Sequence, residues 1–62
     1  AQQRLSAALA QWAGCEYAKG RTERETHKRL YLTTGVDVLT ALALPRADME
    51  ALAEKIEGWC YA

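Results

Sequence analysis

The stretch Gly35-Val36-Asp37-Val38-Leu39-Thr40-Ala41-Leu42-Ala43-Leu44 constrains this chain more than any other part of it. Seven of its ten residues are apolar, and Asp37 carries its one charge. No rotation of a helix or strand gives such a segment a wet face, so it has to be covered on most sides. The cover must come from the flanking segments, each of which has one apolar stripe and one polar face. The pattern therefore predicts an all-α fold, a small bundle of three or four short helices, with this stretch at its centre.

With 62 residues there is room for one domain, spanning 1–62. A domain of that size buries only about 60% of the surface its unfolded chain exposes. Hydrophobic residues make up 50% of the chain, which is ample for a core, and Phe is absent, so Trp12, Trp59, Tyr17, Tyr31 and Tyr61 supply the aromatic bulk. We expect the chain to be an excerpt of a longer protein. No signal peptide is evident and no apolar run approaches bilayer-spanning length, so the expectation is a cytoplasmic protein without a membrane partner.

Cys15 and Cys60 fall near the ends of the first and last segments. A disulfide between them would close a long loop; the alternative is two buried thiols packing as small hydrophobes. Composition favours the thiols, because disulfide-built domains of this size usually carry four or more cysteines and a thinner core. Two cysteines and the single His27 have no metal-ligand spacing, so neither metal nor cofactor is expected.

Along the chain, residues 2 to 18 read as an amphipathic helix with Leu5, Ala8, Leu9, Trp12, Ala13 and Cys15 at helical spacing. Gly14 would admit close approach of another helix, and Gly20 stops the segment. Thr22-Glu23-Arg24-Glu25 has the form of a capping box, which places the next helix start at Thr22 or Glu23. His27, Leu30, Tyr31 and Thr34 share one face, His27 as a half-buried imidazole at the core edge, and Gly35 is the stop. The β-branched run 31–38 also admits a hairpin, but Thr34-Gly35 is not a favoured hairpin dipeptide, and helix-turn-helix is preferred. A third helix over roughly 36–44 would start at Asp37 and end at Pro45. The fourth runs from about 46 to 57 or beyond, with Met49, Leu52, Ala53, Ile56, Trp59 and Cys60 inward, Gly58 interrupting the stripe, and Glu50, Glu54 and Glu57 outward. The expected core is Leu5, Leu9, Trp12, Leu30, Tyr31, Val38, Leu39, Leu42, Leu52, Ile56 and Trp59.

Formal charge is zero but unevenly placed. Arg4 balances Glu16 in the first segment. Residues 19–29 carry five cations against two anions, and residues 37–62 carry five anions against two cations. The two regions either complement each other, within the fold or in self-association, or the basic one meets an acidic partner. Arg21, Arg24 and Lys28, flanked by Lys19 and Arg29, line one helical face. They are the candidate nucleic-acid-binding residues, Arg21, Arg24, Lys28 and Arg29, able to contact phosphates without reading sequence; the alternative is a solvated face with pairs such as Glu25 and Arg29. Trp59 and Tyr61 are the candidate partner-binding residues, with completion of the core against Trp12 as the alternative. A DNA-reading helix-turn-helix is disfavoured because Val38 to Leu44 offers base edges only Thr40. No nucleophile motif, phosphate-cradling glycine loop or metal spacing accompanies His27, so no catalytic residue is nominated and the segment is read as no enzyme by itself.

The run from Lys19 to Ala41, KGRTERETHKRLYLTTGVDVLTA, resembles segments in terminal regions of phage and prophage replication proteins, in particular their superfamily-two-type helicases. It covers the middle third of the chain and contains none of a helicase's nucleotide-binding signatures, so ATPase activity does not carry over. The resemblance implies an accessory helical domain attached to a motor or replication protein. The expectation is thus a non-catalytic accessory or interaction domain of a larger bacterial or phage nucleic-acid-processing protein, its partner being the remainder of that protein or another protein. Alternatives are a sequence-tolerant DNA-binding module and a small self-associating helical protein, a homo-oligomer.

Overall fold

A computed structural model describes residues 2–61, and the side chains of Gln2 and Tyr61 lie outside that description. The described chain is all α: α1 (Gln2–Ala18), α2 (Glu23–Thr34), α3 (Val38–Ala41), α4 (Arg46–Glu57) and a 3₁₀ turn at Trp59–Tyr61. Among the described residues there is no strand.

Local chemistry sets most of these boundaries. Gly20 (φ 92°) and Gly35 (φ 81°) adopt the left-handed conformation that terminates a helix without a Cβ penalty, and the Gly35 amide donates to the Tyr31 carbonyl at 2.8 Å. At the start of α2 the Glu25 amide donates to the Thr22 hydroxyl at 3.1 Å while the Thr22 amide donates to the Glu25 carboxylate at 2.8 Å, completing the capping box. Pro45 precedes α4, where its missing N–H costs nothing.

The main interface joins α1 to α4. Leu5, Ala8 and Trp12 from α1 meet Met49, Leu52, Ala53 and Ile56 from α4, with Leu30 of α2 and Ala41 of α3 closing the cluster. Leu5, Leu30 and Ile56 are fully buried, each worth about 1.5–3 kcal/mol of transfer free energy.

The stretch 35–44 is not the centre. Its helix is one turn long, since Asp37 caps it by accepting from the Thr40 amide at 2.7 Å and the chain leaves the α path after Ala41. Ala43 and Leu44 donate back to Thr40 and Ala41 in 3₁₀ fashion on the way to Pro45. A single turn can show the core only one side: Ala41 is buried, whereas Leu39 is 81% exposed. Val36, Val38, Leu42 and Leu44 pack half-buried against the cluster.

On α2 the inward positions are Thr26 and Leu30, with Thr34 half-buried beside them, so Tyr31 and Leu32 turn outward at 55% and 70% exposure. Thr26 tolerates full burial because its hydroxyl donates to the Thr22 carbonyl at 2.9 Å, leaving no polar atom unpaired. His27 is likewise exposed rather than half-buried. Gly14 makes no close helix approach: nothing lies within 4 Å of where its Cβ would stand.

The cysteines are joined. Cys15 and Cys60 form a disulfide with Cα atoms 6.1 Å apart, correcting the expectation of two thiols. The cysteine-count argument applies to domains that lack a core; here the 3₁₀ turn carries Cys60 back over the last turns of α1, adding one link to a core already present.

Candidate functional site

Glu16, in the last turn of α1, is 3% exposed and is the one buried charged side chain of the described residues. Arg21 Nη1 donates to its Oε2 at 2.7 Å and Arg29 Nε donates to its Oε1 at 3.1 Å. The main chain reinforces the geometry, as the Lys19 and Arg21 amides both donate to the Glu16 carbonyl at 3.1 Å. Burial is the largest single influence on the Glu16 carboxyl and pushes its pKa up. The Arg21 charge, the Arg29 hydrogen bond and charge, and the Lys19 charge together outweigh it, holding the group below its ordinary value. This triad fastens the α1–α2 corner.

The four nominated cations therefore divide. Arg21 and Arg29 are committed to Glu16, whose single negative charge offsets one of their two positive charges within the fold. Arg24 and Lys28 are exposed, and among the described residues neither side chain has a hydrogen-bonding or ionic partner. Positions 24, 28, 31 and 32 follow one another at i, i+4, i+7 and i+8, so Arg24, Lys28, Tyr31 and Leu32 share the face of α2 opposite Thr26 and Leu30. That face is cationic over its first half and apolar over its second.

Trp59 is half-buried, its ring 5.0 Å from that of Trp12 at 71° in an edge-to-face arrangement. It completes the core edge, the alternative weighed for it against partner anchoring. The Tyr61 side chain lies outside the described residues. Between this aromatic pair and the Glu16 triad lies an open cleft of about 310 Å³ lined by Trp12, Glu16, Lys19, Arg29, Thr33 and Trp59.

Arg4, the other charged residue of α1, forms a two-point pair with Glu57, at 3.1 Å from Nε and 2.9 Å from Nη2. The available signal for Glu16 was its place one turn before a basic run that needed a counter-charge. Among the described residues no three His, Cys, Asp or Glu side chains gather as a metal site, and no described helix is long and apolar enough to cross a membrane.

Among the described residues, fold and surface thus define a small disulfide-linked α-helical bundle with an unpartnered mixed face on α2. Comparison with protein family models, curated proteins and solved structures finds no match to the chain.

Proposed function

We propose that this chain is a non-catalytic interaction domain that docks a protein partner through the outer face of α2, within a larger cytoplasmic bacterial or phage nucleic-acid-processing protein such as a helicase. The observation that carries the reading is the stripe Arg24, Lys28, Tyr31 and Leu32. All four side chains are exposed, and the apolar pair has no structural task inside the bundle. Leu39, exposed on α3, adds to the apolar surface outside the core. The stripe fits a partner that is apolar at its centre and acidic at its edge. The same run, Lys19 to Ala41, bears the resemblance to helicase-associated segments, which supports the choice of parent.

A second reading, direct contact with single-stranded nucleic acid, is favoured by one observation: Arg24 and Lys28 are unpaired and lie beside Tyr31, a stacking surface. The protein partner ranks first because the stripe contributes only two cations, a small electrostatic footprint on a chain of zero net charge.

Fluorescence anisotropy separates the two, using a labelled amphipathic peptide with leucines at i and i+4 flanked by glutamates, and a labelled oligothymidylate. Docking predicts peptide binding that Leu32→Glu weakens at least about tenfold, roughly 1.4 kcal/mol. Nucleic-acid contact predicts instead oligothymidylate binding, abolished by Arg24→Ala/Lys28→Ala, with a log–log salt slope of about −1.4 for two single-strand phosphates. Absence of binding by both probes overturns the proposal.

A further inference from the structure

We propose that the Cys15–Cys60 disulfide is a redox latch: its reduction releases the C-terminal 3₁₀ turn and uncovers Trp12, leaving the helical bundle folded. Three features of the structure carry this. First, the bond joins the last turns of α1 to a three-residue turn, across a sequence separation of 45, and not two helices of the core. The turn follows Gly58 and is held to α1 by this bond, by the Trp12–Trp59 contact and by the approach of Cys60 Sγ to the Gln11 carbonyl at 3.5 Å. Second, the nine-residue buried cluster lies entirely in α1 to α4, and neither Cys15, Trp59 nor Cys60 belongs to it; Trp59 and Cys60 pack on its edge. Cutting the bond thus loosens a lid without removing a wall. Third, Cys15 and Cys60 are both only partly buried and so lie at the edge of the core, where thiol–disulfide exchange, which depends on access, is least hindered.

The exchange is chemically complete with a dithiol reductant. Its thiolate attacks one sulfur, the Cys15–Cys60 bond breaks, and a mixed disulfide forms. The second thiol of the reductant then displaces the protein sulfur, leaving two cysteine thiols and an oxidised reductant, with two electrons and two protons transferred to the protein. A low-molecular-weight disulfide reverses the sequence by the same steps. Trp59 forms one wall of the cleft beside Glu16 and Arg29, so latch opening widens that cleft and exposes the Trp12 ring, now 6% exposed. In a reducing compartment, where lasting disulfides are rare and the exceptions are commonly redox-responsive, such a bond reports oxidation. The inference is independent of the α2 face, and its test uses no partner.

The test compares the whole chain, air-oxidised and then treated with dithiothreitol, at low temperature. A thiol-reactive dye should find no free thiols before treatment and both afterwards. The near-ultraviolet dichroism of the Trp12–Trp59 pair should collapse on reduction while the far-ultraviolet helical signal is retained. Amide exchange should accelerate in residues 58–61 and not across α4. Cys15→Ser/Cys60→Ser should reproduce the reduced spectrum and ignore dithiothreitol, and Cys60→Ser alone provides a second open form. Loss of helicity together with the tryptophan signal would make the bond a staple of the whole fold and overturn the latch, as would an unchanged tryptophan signal or two free thiols in the oxidised sample.

Discussion

Glu16 shows how one side chain can decide which of its neighbours are available for binding. A buried carboxylate is tolerated only when paired and hydrogen-bonded, and it draws in Arg21 and Arg29, two of the four cations that sequence alone offers to a phosphate backbone. Replacing Glu16 by Ala leaves two guanidinium groups without their anion. Both are partly solvated, so the cost is expected to fall below that of breaking a fully buried pair, at about 2–3 kcal/mol, read from urea denaturation. The sign of the pH dependence follows from the lowered Glu16 pKa. A depressed folded-state pKa contributes stability that is present above the unfolded value, near 4.5, and is lost as pH falls through the folded value. Glu25, Asp37 and Glu57 are lowered too, through the Thr22 amide, the Thr40 amide and the Arg4 hydrogen bond respectively, and act in the same direction. Acid should therefore destabilise the chain below about pH 4.5, and Glu16→Gln should flatten part of that fall. An unchanged acid limb in Glu16→Gln would assign the loss to the other carboxyls.

At the scale of the element, what was legible was what is local. The capping box of α2, both glycine stops and the span of α4 were readable because each depends on residues within one turn of each other. The failures are tertiary. The run 36–44 looked like a buried helix because its composition is apolar, yet the Asp37 cap and Pro45 leave room for a single turn, so most of its apolar residues reach only the core edge. Tyr31 is expected in the core from its place beside Leu30, and Thr26 is not among the expected core residues. The structure chooses Thr26 because its hydroxyl is satisfied by its own helix, and Tyr31 is thereby left on the face proposed for docking. Thr22→Ala removes the hydroxyl half of the capping box and should cost about 1 kcal/mol, seen as a lower urea midpoint with an unchanged m value. Because α2 displays the Arg24–Leu32 stripe, the same substitution should weaken peptide docking only through fraying, and cooling should restore it. A docking loss that persists on cooling would place Thr22 in the interface itself.

For the whole molecule the balance is narrow. A chain of 62 residues ordinarily holds roughly 3–9 kcal/mol of net stability, and Leu5, Trp12, Leu30, Leu52 and Ile56 form a core with few large side chains. A cross-link spanning 45 positions of sequence restricts the unfolded ensemble by about 4 kcal/mol on the chain-entropy scale. The bond therefore has two separable effects: it holds the 3₁₀ turn in the native state, and it destabilises the unfolded state. Reduction should lower the thermal midpoint by roughly 20 °C or more, because each kcal/mol moves a domain of this size by about 4–8 °C, while the helical signal at low temperature persists. Calorimetry of the oxidised chain, the reduced chain and Cys15→Ser/Cys60→Ser checks this, and the last two should share one midpoint. The midpoints should also be independent of protein concentration if the fold is complete in one copy; a rise with concentration would mean that copies of the chain associate and contribute to stability by mass action. Agreement of the reduced and serine forms at a midpoint well above room temperature would leave the bundle folded in both redox states, the condition under which opening the 3₁₀ turn can act as a signal and not as the first step of unfolding.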